Sequence, residues 1–228
     1  MLLEMRSLRA GYGVLPVLFD INLSVQQGEM VSILGANGAG KSTLLKTILG
    51  AVHPSSGEIT FKQERVTSMP AYERVQRGIA LSPEGRQVFS SLTVKENLIT
   101  GAAGIGGAQL QEQFDRVYEL FPRLHERESQ DAGSLSGGEQ QMLAVSRALM
   151  SQPRLLLVDE LSLGLAPVIV ERLYGALREL CNEGLAVIMV EQFHLAAAGH
   201  ADREMVLEKG EMADPTGMSY AAGEPVAG

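Results

Sequence analysis

The sequence predicts an α/β fold: a core of largely parallel sheet, a small antiparallel edge from the N-terminal strands, and an α-helical lobe inserted into the core. Three observations lead there. A short apolar run, Val31 to Leu34, enters a glycine-rich loop and then a helix, the opening of a parallel α/β unit. Two further apolar runs, Leu155 to Val158 and Ala186 to Val190, lack polar alternation, as strands covered on both faces do. Between about Thr93 and Met150 the apolar residues follow helical spacing.

The elements follow in chain order. Thr43 to Leu49 reads as a helix with Gly50 as its stop signal. Gly101 to Gly107, GAAGIGG, reads as a flexible connector. Leu110, Phe114, Val117, Leu120 and Phe121 mark an amphipathic helix, and Glu139 to Met150 another, entered from a glycine pair. Val170, Leu173, Tyr174, Leu177, Leu180 and Cys181 lie at helical spacing, and Gly184 ends that helix. The tail from Asp214 is rich in Ala, Gly and Pro and is expected to fray. The expected organisation is one domain over residues 1–228: a core of about 1–92 and 151–213, a helical lobe of about 93–150 and a tail of 214–228.

Composition narrows the function. A chain of 228 residues suits one domain with a buried centre. Its 19 basic and 27 acidic residues give a formal charge of −8, with no block of Lys and Arg. That argues against a nucleic-acid partner. The single cysteine, Cys181, excludes an internal disulfide and fits a buried helix face. Charged residues interrupt the N-terminus where a signal peptide needs an apolar stretch. No apolar run approaches the roughly 20 residues that span a bilayer. If the chain works at a membrane, it is expected to dock on another protein. Glu126 to Glu128 reads as a solvated charge run.

The phosphate loop carries the strongest chemical signal. Gly35, Ala36, Asn37, Gly38, Ala39, Gly40, Lys41, Ser42 and Thr43 fit GxxxxGK[ST] between a strand and a helix. Glycines let backbone N–H groups turn inward onto phosphates, and the helix N-terminus adds partial positive charge. Lys41 would reach the β and γ phosphates of a nucleotide, and the Ser42 hydroxyl would ligate Mg²⁺. The run Leu155 to Glu160, LLLVDE, delivers Asp159 and Glu160 to the carboxyl end of a strand. There Asp159 would hold Mg²⁺ and Glu160 would orient or deprotonate the attacking water. Read alone, the pair is also consistent with a solvated acidic turn. The run Leu135 to Gln140, LSGGEQ, contains a capping box, Ser136 with Glu139. It is either a well-started helix or, through Gly137 and Gly138 at that helix N-terminus, a second anion site.

The order GANGAGKST, LSGGEQQ, LLLVDE resembles the ATP-binding cassette (ABC) ATPase family over nearly the whole chain. The resemblance implies a P-loop, RecA-like core and head-to-tail pairing of two cassettes. Ser136, Gly137 and Gly138 of one subunit would then touch the γ-phosphate held by the phosphate loop of the other. Tyr12, in Gly11-Tyr12-Gly13, matches the aromatic that stacks on adenine; a core or turn tyrosine is the other reading. Ser162 to Pro167 matches the segment that crosses the dimer interface, and Leu161 stands where many members have proline. Losing that rigid φ angle would loosen the segment.

Two further departures point to one branch. Glu84 stands where most members have a glutamine that binds Mg²⁺ and senses the transport partner. Gln192 stands where most have a histidine on the γ-phosphate, with His194 as a rival. Gln donates a hydrogen bond but carries no charge. PEGR, LTVKENL, SLGLAP and VEQ together resemble the second ATPase subunit of branched-chain amino acid importers. A sister branch for urea keeps glutamine at the position of Glu84. The resemblance implies a second ABC ATPase subunit, as a hetero- or homodimer, two permeases, an external solute-binding protein and a peripheral place on the cytoplasmic face of the membrane. The competing readings are import of urea, amides or other solutes, an ABC ATPase working in DNA repair or on the ribosome, and an ATP-sensing scaffold that does not hydrolyse.

Overall fold

The computed structural model describes residues 1–102, 104–192 and 199–213. The tail expected to fray and His194 lie outside the described residues.

Strands β1 (Leu3–Tyr12) and β2 (Leu15–Val25) form an antiparallel hairpin. In β1 the buried residues Leu3, Met5, Leu8 and Ala10 give one apolar face, while Arg6 and Arg9 point to solvent. Next come β3 (Met30–Leu34), α1 (Lys41–Leu49), β4 (Pro54–Phe61), β5 (Glu64–Arg65), α2 (Ala71–Gln76) and β6 (Ile79–Ser82). The helical stretch holds α3 (Val94–Gly101), α4 (Gly107–Leu120), α5 (Pro122–Glu126) and α6 (Gly137–Leu149). The chain then runs through β7 (Leu155–Asp159), α7 (Pro167–Asn182), β8 (Ala186–Glu191), β9 (Arg203–Glu208) and β10 (Glu211–Ala213).

The strands make two sheets, four strands in the order β2-β1-β4-β5 and six in the order β10-β9-β3-β8-β7-β6. The larger sheet is parallel from β9 to β6, with β10 antiparallel to β9. The N-terminal strands expected at an edge form a sheet of their own. Their alternating pattern gives them an apolar face that packs across α1 onto the parallel sheet. Each buried strand divides its residues between two cores by the two-residue period. Leu155, Leu157, Ile188 and Val190 join the core shared with α1 and the antiparallel sheet. Leu156, Val158, Val187 and Met189 join the core shared with α6, α7 and the helical stretch.

Two sequence expectations need correction. Gly101 is not part of a flexible connector: it is the last residue of α3, and Gly107 is the first of α4. A Cβ on Gly101 would lie 1.9 Å from the Arg147 carbonyl oxygen, so α3 and α6 approach at a point only glycine allows. The charge run is not simply solvated either. Arg127 pairs with Glu139 at 3.0 Å, and Glu128 accepts from the Tyr118 hydroxyl.

Candidate active site

Strand order decides where the motifs meet. β3, β8, β7 and β6 are consecutive and parallel, so the loops leaving their carboxyl ends share one edge. That edge carries Gly35–Gly40, Gln192, Glu160 and Glu84 in turn, the place where open α/β sheets bind ligands.

The loop after β3 needs glycine where the backbone turns left-handed, at Gly38 (φ 83°) and Gly40 (φ 109°). Val17 and Leu18 of β2 lie against Gly40, which ties the loop to the first hairpin. No side chain caps the N-terminus of α1, so its first N–H groups are left for an anion. Lys41 folds back over the loop: its Nζ donates to the carbonyls of Gly35 at 2.8 Å and Ala36 at 3.2 Å. It also sits 3.2 Å from Glu160 Oε1, with the two side chains only 5% and 9% exposed. Glu160 adopts a left-handed backbone (φ 50°), and its N–H donates to Val190 O at 3.0 Å.

Asp159 is hydrogen-bonded to Ser42 and is 5% exposed. Burial first, and then the charges of Glu84 and Glu160, push its carboxyl above the usual range, while Ser42 and Lys41 pull it down. Its Oδ1 is buried without a partner. Glu84 is exposed, yet its charge reaches Asp159. Gln192 is half-buried directly after β8. Thr43 is buried in the first turn of α1. Tyr12 is 49% exposed at the tip of the first hairpin.

The second glycine motif lies elsewhere. Ser136 caps α6: Glu139 N–H donates to its Oγ, while its own N–H and hydroxyl donate to the Glu139 carboxylate. Arg127 holds the same carboxylate from α5's end. The Arg86 guanidinium lies over Gly137, where a Cβ would meet it at 2.9 Å. Among the described residues no hydrogen bond or ion pair joins Ser136, Gly137 or Gly138 to the phosphate loop.

Sequence reasoning missed Glu191, the last residue of β8. It is 1% exposed, and three donors reach its carboxylate: Ser162 N–H at 3.2 Å, Ser162 Oγ at 2.7 Å and the Tyr174 hydroxyl at 2.7 Å. Burial pushes its carboxyl up against those donors. The only signal was a charged residue closing an apolar strand. Leu161, expected to loosen the following segment, is fully buried in the core shared with α6 and α7, and Ser162 is tied to Glu191.

The sequence profile described as ABC transporter matches residues 18–162. The high-affinity branched-chain amino acid transport ATP-binding protein BraG of Pseudomonas aeruginosa is 49% identical over 201 residues, covering 88% of this chain and 86% of that protein. The probable branched-chain amino acid transport ATP-binding protein LivF of Archaeoglobus fulgidus is 35% identical over 207 residues, covering 90% of this chain and 88% of that one. A solved structure described as an ATP-binding subunit of an ABC transporter aligns with a TM-score of 0.82 at 30% identity, over 95% of this chain and 91% of that chain. With the site geometry and the profile in agreement, the chain belongs to the ABC transporter family, as one of its ATP-binding cassette ATPases.

Proposed function

We propose that the chain hydrolyses ATP to drive import of branched-chain or related amino acids. The observation that carries the reading is the meeting of Lys41, Ser42, Asp159 and Glu160 at one sheet edge. The solute class rests on the similarity to BraG and LivF.

Lys41 is paired with Glu160 and donates to two loop carbonyls. ATP phosphates offer Lys41 a stronger anion and so release Glu160 to hold the attacking water. The uncapped start of α1 and the loop N–H groups supply preorganised donors. Gln192 donates to the γ-phosphate, and Tyr12 offers its exposed ring to adenine. The residues fit a hard cation: Asp159 Oδ1 is buried and orphaned, with the Ser42 hydroxyl on the same carboxyl and the Glu84 charge close by. Among the described residues no cluster of three or more His, Cys, Asp or Glu forms a metal site. Ser42, Asp159 and Glu84 would be the residues that hold Mg²⁺. When bound it would neutralise charge on the β and γ phosphates.

Ser136, Gly137 and Gly138 would face the ATP of a second cassette, because they lie away from this chain's own loop. The helical lobe, about residues 93–150, would carry them there. Two permeases would complete the assembly, with this chain on the cytoplasmic face and a solute-binding protein on the external side. No helix among the described residues is long and apolar enough to cross a membrane, so attachment would be through the permeases.

The test is ATP hydrolysis by the chain with its partner cassette and permeases, paired with solute uptake into vesicles. Lys41→Ala should lose ATP binding. Glu160→Gln should bind ATP and turn it over at least about 100-fold more slowly. Binding without hydrolysis by the unsubstituted chain under every condition would replace the motor with an ATP-sensing scaffold. Net movement of solute toward the binding-protein side would overturn the importer assignment.

A further inference from the structure

The Glu191 carboxylate is buried, tightly bonded and absent from the chemistry above. Its connections run in two directions. Through the main chain, Leu34 and Glu191 are register partners, and Glu191 O accepts the Gly35 N–H at 3.1 Å, where the phosphate loop begins. Through the side chain, it takes the N–H and hydroxyl of Ser162, two residues after Glu160, and the hydroxyl of Tyr174 in α7. Gln192 is its chain neighbour.

Glu160 needs such support. A non-glycine residue at φ 50° is costly and persists only where its surroundings fix it. On one side its N–H is held by Val190 O at 3.0 Å. On the other, the chain is pinned by Leu161 in the core and by Ser162 on Glu191. A burial this complete, in a carboxylate with no cationic partner among the described residues, is expensive. A hydrophobic residue would fill the space more cheaply, so the cost is accepted for geometry.

We infer that Glu191 is a positioning residue: its buried carboxylate registers Glu160 and the interface segment Ser162–Pro167 against the phosphate loop. The inference rests on the ATPase reading. Glu191 does not touch the reacting atoms; it fixes where Glu160 stands relative to Gly35 and Lys41. It also gives the interface segment a route to the site. A second cassette pressing on Ser162–Pro167 acts on Ser162, and through it on the residue joined to Gln192.

The test compares Glu191→Gln, Ser162→Ala and the double variant in the full assembly. It reads kcat, KM for ATP, binding of a non-hydrolysable ATP analogue, and melting temperature. Ser162→Ala removes one hydroxyl from a partly exposed residue and should fold. Its kcat should fall about tenfold, with analogue binding within about twofold, because misplacement costs rate more than binding. Glu191→Gln keeps an acceptor oxygen for Tyr174 and the Ser162 N–H, so it should retain more activity than Glu191→Ala. The Ser162→Ala effect should largely vanish in the Glu191→Gln background. Unchanged kcat in both single variants, additive effects, or losses that only follow melting temperature would overturn the inference while leaving the ATPase assignment intact. Absence of hydrolysis by the unsubstituted assembly would overturn both.

Discussion

Asp159 is held in a costly environment. It is buried, one oxygen lacks a partner, and Glu84 and Glu160 add like charge. Its folded carboxyl is therefore raised above its unfolded value. Such a group contributes stability that is fully present below the ordinary carboxylate range and lost as pH rises through the folded value. Asp159→Asn should raise the melting temperature of the nucleotide-free chain at neutral pH, with the gain shrinking as pH falls through the carboxylate range. The same variant should lose hydrolysis, as expected where function is bought with strain. Equal melting temperatures for the two proteins at neutral pH would show that Asp159 carries no such burden. Lys41 and Glu160 differ, since each neutralises the other.

The phosphate-loop helix is secured at the end away from the phosphates. Arg74 of α2 is fully buried, and its guanidinium donates to four carbonyls: Thr47, Ile48, Thr67 and Met69. Thr47 and Ile48 belong to the last turn of α1, where a cation complements the helix dipole. Burial pulls the guanidinium down to about 10, which leaves it charged at neutral pH. Arg74→Met should cost about 3 kcal/mol in urea unfolding, because several buried carbonyls lose their donor together. An unchanged unfolding midpoint would mean that water or a neighbour replaces it. The α3–α6 contact shows the opposite device: at Gly101 the absence of a side chain lets two backbones meet.

At the scale of the whole molecule, the parallel sheet is the shared wall of two cores. One core carries the phosphate-loop helix, and the other extends to α6, which Ser136 caps. The two glycine motifs thus lie on bodies joined by a single sheet, with no direct bond between them among the described residues. Of the two, only the phosphate loop adjoins the Lys41–Glu160 pair. Glu160→Gln should therefore convert added ATP into a stable pairing of cassettes, seen as a doubling of mass by light scattering at the pure partner ratio. Lys41→Ala should stay unpaired. A Glu160→Gln chain that remains single in saturating ATP with its partner would remove Ser136–Gly138 from the nucleotide site.

The sequence by itself determined the local chemistry. GxxxxGKS between an apolar run and a helix, the LLLVDE run and the Ser136–Glu139 box are legible because each depends on neighbours a few residues away. The two-faced strands were legible for the same reason. Tertiary structure alone decided the rest. The Lys41–Glu160 pair joins residues more than a hundred positions apart, and which strands adjoin is set by the sheet order. Gly101 looked like part of a flexible connector because composition cannot tell a free glycine from one pressed against another backbone. Arg127 looked solvated because its partner, Glu139, lies on a different helix. Glu191 was hidden for the same reason: a carboxylate at a strand end acquires meaning only from the serine and tyrosine that folding brings to it.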